Sequence, residues 1–168
     1  TGLRVVNLEG SGEPTLARNL DEYIKIVKKY NAKAFCFSNG YRMFGRYMKR
    51  CVDAGLDFYR FSMIGYDANK YNEMMHNRIG GNFDMICENI MQMQDYVEKS
   101  GSDCVVATYH LITDTDNQEE ELKKYKELVK RLGVKSEIWR MHNWSGVYDN
   151  KDKSCLLYTS PSPRDPKS

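Results

Sequence analysis

The chain has 168 residues, with 25 lysines and arginines against 23 aspartates and glutamates, and 41% of it is hydrophobic. That length gives one domain with a proper core and falls short of a complete closed eight-stranded α/β barrel. Charges of both signs alternate along stretches such as "EEELKKYKELVKR", a solvated helix face and not a nucleic-acid footprint, and no apolar run is long enough for a membrane span.

Thr1 is not an initiator methionine and Leu3 to Leu8 already reads as buried strand, so the N-terminus is expected to be cut. Without a signal peptide, the expectation is a soluble cytoplasmic protein. After this strand comes "GSGEPTL", Gly10 to Leu16. Further strands are expected at Ala34 to Phe37, Phe58 to Met63, Asp103 to Leu111 and Glu137 to Met141, each short and rich in β-branched, aromatic or other apolar residues. Helical stripes lie between them: Leu20, Tyr23, Ile24, Val27 and Tyr30; then Phe44, Met48 and Cys51 within Tyr41 to Ala54; then Phe83, Ile86, Ile90, Met93 and Val97; then Leu122, Tyr125, Val129 and Leu132.

Strands recurring roughly every 25 to 30 residues with helices between them imply βα units and a parallel sheet. The helices then lie on one side if the sheet curls into a barrel wall, or on both sides if it stays open, and periodicity leaves that choice open. In either case ligand groups belong at the carboxyl ends of the strands. "GSGEPTL" falls there, where glycines let backbone approach a ligand; the alternative is a plain turn, with Pro14 stopping the strand and Thr15 or Asn19 helping the helix start.

Cys36, Cys51, Cys87 and Cys104 are too far apart for a CxxC or CxxxCxxC ligand set and read as reduced packing residues, so no metal ligand is assigned within the chain. His76, His110 and His142 are scattered and read as ordinary polar or partly buried histidines. Met85, Met91 and Met93 read as core filling, and Asp67 as a turn acid.

Taken in order, "EGSGEPTL", "FSNG", "FSMIGYD" and "RIGGNFDMICENI" resemble the core of radical S-adenosylmethionine enzymes, across about residues 3 to 146. The resemblance implies an α/β fold, a partial (βα)6 TIM-like barrel of parallel strands with outer helices. It implies S-adenosylmethionine and a 4Fe-4S cluster as cofactors, the cluster cleaving the former reductively to a 5′-deoxyadenosyl radical that abstracts hydrogen from the substrate. The site residues follow from the same resemblance. Ser11, Gly12, Glu13 and Pro14 stand at the motif usually written GGEP, which contacts the methionyl amino group, with Ser11 in place of the usual glycine. Ser38 and Asn39 match a strand-end pair near the cofactor, and Ser62 matches a polar position near the ribose and methionyl carboxylate. Arg78 aligns with an arginine that pairs with that carboxylate; the alternative is a solvated helix-entry residue. No residue of the chain is assigned a catalytic role.

The family's CxxxCxxC is missing, and it normally precedes the strand where this chain begins. Leu3 to Leu8 is therefore expected to be the second barrel strand, the first βα unit to be absent, and the fragment alone to be inactive. "RMHNWSG", Arg140 to Gly146, resembles the exit of members with a cysteine-rich SPASM-type domain, which often modify peptides; the alternative is a plain aromatic loop with Trp144 as packing. Implied partners are a small-molecule or peptide substrate and a reductant such as flavodoxin or ferredoxin, with no nucleic acid and no membrane. A non-catalytic degenerate barrel scaffold and an ordinary α/β barrel enzyme with a phosphate or sugar ligand remain as alternatives. The expected division is residues 1–150 as core fragment and 151–168 as a non-native tail, since Cys155 to Ser168 resembles a translated sequencing adapter.

Overall fold

A computed structural model describes residues 2, 4–10, 12–75, 82–112 and 117–140 of the chain, with the backbone alone at position 140. His76, Arg78, His142, the Arg140 to Gly146 segment beyond its first residue, and the tail lie outside the described residues. The strands are β1 (Val5–Asn7), β2 (Lys33–Ser38), β3 (Phe58–Phe61), β4 (Val105–Ile112) and β5 (Lys135–Arg140). The helices are α1 (Leu20–Lys29), α2 (Gly45–Asp53), α3 (Ala68–Met74), α4 (Asn82–Ser100) and α5 (Gln118–Leu132), with a 3-10 turn at Pro14–Leu16.

All five strands form one parallel sheet in the order β1-β2-β3-β4-β5. This order decides what periodicity left open. Every right-handed crossover steps in the same direction, so the helices gather on one face and the sheet is a barrel-type wall. Ala34, Cys36, Tyr59, Phe61 and Val106 form one core with Leu20, Ile24, Met48, Cys51, Ile86 and Ile90 of the helices. The alternate residues, Phe35, Phe37, Phe58 and Arg60, face the other side.

Local chemistry explains the element ends. α5 starts with Glu119, Glu120 and Glu121 and ends with Lys130 and Arg131, complementing its dipole, and Gly133 closes it at φ 68° with its N–H on the Val129 carbonyl, 3.0 Å away. α3 is an addition to the sequence expectation: Asp67 caps it, its Oδ1 accepting from the Lys70 N–H at 2.8 Å, and fully buried Tyr71 anchors it. The expected turn acid is thus a helix cap.

Three stripes need correction. In α1, Leu20, Ile24 and Val27 are buried, while Tyr23 and Tyr30 are 46% and 70% exposed; the sheet covers only the narrower face. In α2, Phe44 is half exposed just before the helix and Met43 takes the core position instead. The inward face of α5 runs through Glu121, Tyr125, Leu128 and Leu132, with Leu122 and Val129 at its flank. It is rotated because Glu121 pairs with buried His110 of β4, Oε1 to Nε2 at 2.9 Å, with the imidazole stacked on Tyr125. Among the methionines, Met93 is buried and Met85 partly so, but Met91 is 41% exposed.

Candidate functional site at the strand ends

The carboxyl ends of β1, β2 and β3 meet around one carboxylate. Glu13 Oε1 accepts from the Thr15 N–H at 2.9 Å, the Thr15 hydroxyl at 2.6 Å and the Ser38 hydroxyl at 2.5 Å. Its Oε2 accepts from the Asn39 N–H at 2.9 Å. A carboxylate has about four acceptor positions, so this one is filled by the chain itself. Burial pushes the Glu13 carboxyl up, but the hydrogen bonds from Ser38, Thr15 and the Asn39 amide outweigh it and hold the group below its ordinary value. The residue therefore latches the loop after β1 to the end of β2.

The latch continues into the next strand. Ser38 Oγ also accepts from the Gly40 N–H at 3.0 Å, and the Ser38 carbonyl accepts from the Ser62 N–H at 2.7 Å. Gly40 sits at φ 77°, and a Cβ there would lie 2.3 Å from the Phe61 ring, so only glycine lets the chain turn over that ring. Asn89 of α4 donates to the Gly40 carbonyl at 3.0 Å and fixes the turn from below. Asn39 Oδ1 accepts from the Tyr41 N–H at 3.0 Å, which leaves its amide donors for a ligand.

Gly12, by contrast, is exposed, has no positive φ, and nothing lies within 4 Å of where its Cβ would be. The fold makes no demand for glycine there, and the missing side chain serves open space. An open groove of about 420 Å³ follows this loop, lined among others by Leu8, Gly10, Gly12, Glu13 and Tyr23. Pro14 begins the 3-10 turn that closes the loop. Of the sequence-derived site residues, Gly12, Glu13 and Pro14 line this groove, while Ser38, Asn39 and Ser62 do not line it and are joined to it through the Glu13 latch; Ser11 and Arg78 lie outside the described residues.

A second group on the inner face of the sheet escaped sequence reasoning. Arg60 crosses β4 above small Ala107, its register partner, to place Nη1 2.8 Å from Glu137 Oε2. The guanidinium lies 3.7 Å from the Phe37 ring centre and 4.4 Å from that of Trp139. Trp139 donates its indole N–H to the same Glu137 oxygen at 2.9 Å. Burial raises the Tyr109 hydroxyl above its ordinary value, against the Ser62 hydroxyl and the Arg60 charge, which pull it down. Ser62 therefore links the strand-end latch to this aromatic and arginine floor. The available signal was a single charge inside the apolar strand "FYRF".

The described cysteines do not suit an iron–sulfur cluster. All four are buried among apolar side chains, and burial pushes the Cys51 and Cys104 thiols up to about 12 and Cys87 up to about 11, with Cys36 raised further. Thiolates are what a cluster needs. No group of three His, Cys, Asp or Glu arranged for a metal occurs among the described residues.

The sequence matches no protein-family model and no curated protein. Solved structures do share its shape. One is TYW1 with a lysine-pyruvate adduct bound, 25% identical at TM-score 0.55 over 83% of this chain and 42% of that one. Another is SuiB of Streptococcus suis bound to S-adenosylmethionine, 14% identical at TM-score 0.61 over 86% of this chain and 31% of that one. Both are radical S-adenosylmethionine enzymes. The chain has a radical S-adenosylmethionine-type fold. It spans less than half the length of either neighbour. The wall is shared more widely, since 2,3-dimethylmalate lyase, 13% identical, matches at TM-score 0.54 over 82% of this chain and 49% of that one. Function therefore rests on the strand-end residues. Among the described residues no helix is long and apolar enough to cross a membrane.

Proposed function

We propose that this chain is the cofactor-holding wall of a radical S-adenosylmethionine enzyme, with the strand-end groove as the site for S-adenosylmethionine. The observation that supports it is the filled Glu13 carboxylate, which fixes an open glycine loop and the Asn39 amide side by side at the strand ends. Glu13 then acts as a positioning residue. Contact with the methionyl amino group falls to the backbone around Gly12, Asn39 offers its amide donors to ribose or carboxylate, and Ser62 adds a hydroxyl from β3. Bound here beside an iron–sulfur cluster, S-adenosylmethionine would take one electron, break its sulfur–C5′ bond to release methionine, and supply a 5′-deoxyadenosyl radical for hydrogen abstraction from a small-molecule or peptide substrate. None of the described thiols fits a cluster, so none is assigned as a ligand, and this chain by itself is expected to form no 5′-deoxyadenosine.

Calorimetric titration of the chain with S-adenosylmethionine tests the reading. Wild type is expected to bind, and Asn39→Ala to bind about tenfold more weakly, the worth of one or two ligand hydrogen bonds. Equal affinity of the two proteins would remove Asn39 from the site, and absence of binding to wild type at millimolar cofactor would remove the site itself.

A further inference from the structure

A second concavity, of about 430 Å³, opens on the outer rim of the same sheet edge, lined by Thr15, Arg18, Arg42, Phe44, Arg46, Tyr47 and Arg50. Its four arginines come from three separate segments: the turn before α1, the loop after β2, and α2 itself. All four are exposed. Among the described residues, Arg18, Arg42 and Arg46 pair with no carboxylate; Arg50 alone is matched, 3.5 Å from Asp21, which Lys25 also approaches at 3.7 Å. Positive charge is thus gathered in a concave place without a matching supply of acids.

The floor is preorganised. The Tyr47 hydroxyl donates to the Ala17 carbonyl at 2.8 Å and Arg50 Nη2 to the Arg18 carbonyl at 2.8 Å, so α2 is tied to the loop opposite. Phe44, at the N-cap of α2, offers no side-chain cap to the first amides of that helix. Its ring is 51% exposed at the lip of the concavity. Guanidinium forks, uncapped amides and a free aromatic face are the groups that recognise phosphate beside a planar ring.

We propose that this pocket binds a small phosphate ester carrying a planar ring, its phosphate held by Arg18, Arg42 and Arg46 and its ring resting on Phe44. The site goes beyond the strand-end groove. Cationic S-adenosylmethionine is repelled by four arginines and carries no phosphate, so the two pockets take different ligands.

Titration of the whole chain with inorganic pyrophosphate and with ADP, in buffer holding chloride at a fixed level, tests it by calorimetry. Wild type is expected to bind both. The double variant Arg42→Ala/Arg46→Ala is expected to bind both about tenfold or more weakly. Phe44→Ala is expected to weaken ADP about fivefold and to leave pyrophosphate unchanged. Failure of wild type to bind either probe at millimolar concentration, or unchanged affinity in the double variant, overturns the site. An unchanged ADP affinity in Phe44→Ala overturns the assignment of the ring. Circular dichroism checks that each variant is folded; if the double variant is not, Arg46→Gln alone is expected to lose about threefold or more, and no loss overturns the proposal.

Discussion

Replacing Glu13 by glutamine tests the strand-end latch directly, because the substitution keeps the shape and removes one acceptor. Oε1 faces the Thr15 N–H and two hydroxyls, and Oε2 faces the Asn39 N–H. The hydroxyls can rotate to accept from an amide. The backbone N–H groups cannot, so whichever way the glutamine is flipped, its NH₂ meets one N–H donor. The loss is one charge-assisted bond, about 1.5–3 kcal/mol when buried, and about 1–2 kcal/mol after allowing for the half-exposed setting. For a domain of this size that lowers the melting temperature by about 2–8 °C at neutral pH. The gap has a pH signature. The folded Glu13 carboxyl titrates below its ordinary value near 4.5, so its stabilisation is fully present above that value and disappears as the pH falls through the lowered folded value. Thermal melts of both proteins between pH 7 and pH 3 measure it. A variant as stable as wild type at pH 7, or a gap that stays constant into acid, would refute the latch.

Two further outcomes follow from the same geometry. Gly40→Ala combines a left-handed backbone with a Cβ driven into the Phe61 ring, and is expected to cost about 2–5 kcal/mol in chemical denaturation; a loss under about 1 kcal/mol would show that the turn relaxes. His110 is buried, and that burial holds its imidazole below its ordinary value of 6.5 despite Glu121, which pulls it up. The unfolded chain therefore takes up the proton first, stability falls as the pH drops below about 6.5, and His110→Gln is expected to flatten that slope; an unchanged slope would place its origin elsewhere.

The strand and helix rhythm was legible because each element carries its own period. α4 buries the expected Phe83, Ile86, Ile90, Met93 and Val97, and β2 to β5 begin within two residues of their expected starts. Misread positions share one cause: burial depends on partners that periodicity does not see. Tyr23 and Tyr30 fit the α1 stripe by spacing yet overhang the part of the sheet that could cover them. Glu121 looks like a solvated acid until His110 is placed beneath it. In the site, "GSGEPTL", "FSNG" and "FSMIG" marked the strand ends correctly, since loops at carboxyl edges follow from parallel topology. What motif reading missed was the direction of the Glu13 side chain, inward to Ser38 and Asn39, and the Arg60, Glu137 and Trp139 cluster, whose members are 77 residues apart at the ion pair and meet only across β4.

The order β1-β2-β3-β4-β5 has a kinetic consequence. Each strand pairs with the one made just before it, so every ladder closes only the connection between consecutive strands, the longest holding α3 and α4, and none waits for a later segment. Closing such loops in succession costs less chain entropy at each step than threading a late strand between early ones. On a ribosome the wall can grow in the direction of synthesis, each new unit templated by the exposed edge of its predecessor. The growing edge then passes along the nascent chain, and at every stage the newest strand presents the edge on which its successor pairs.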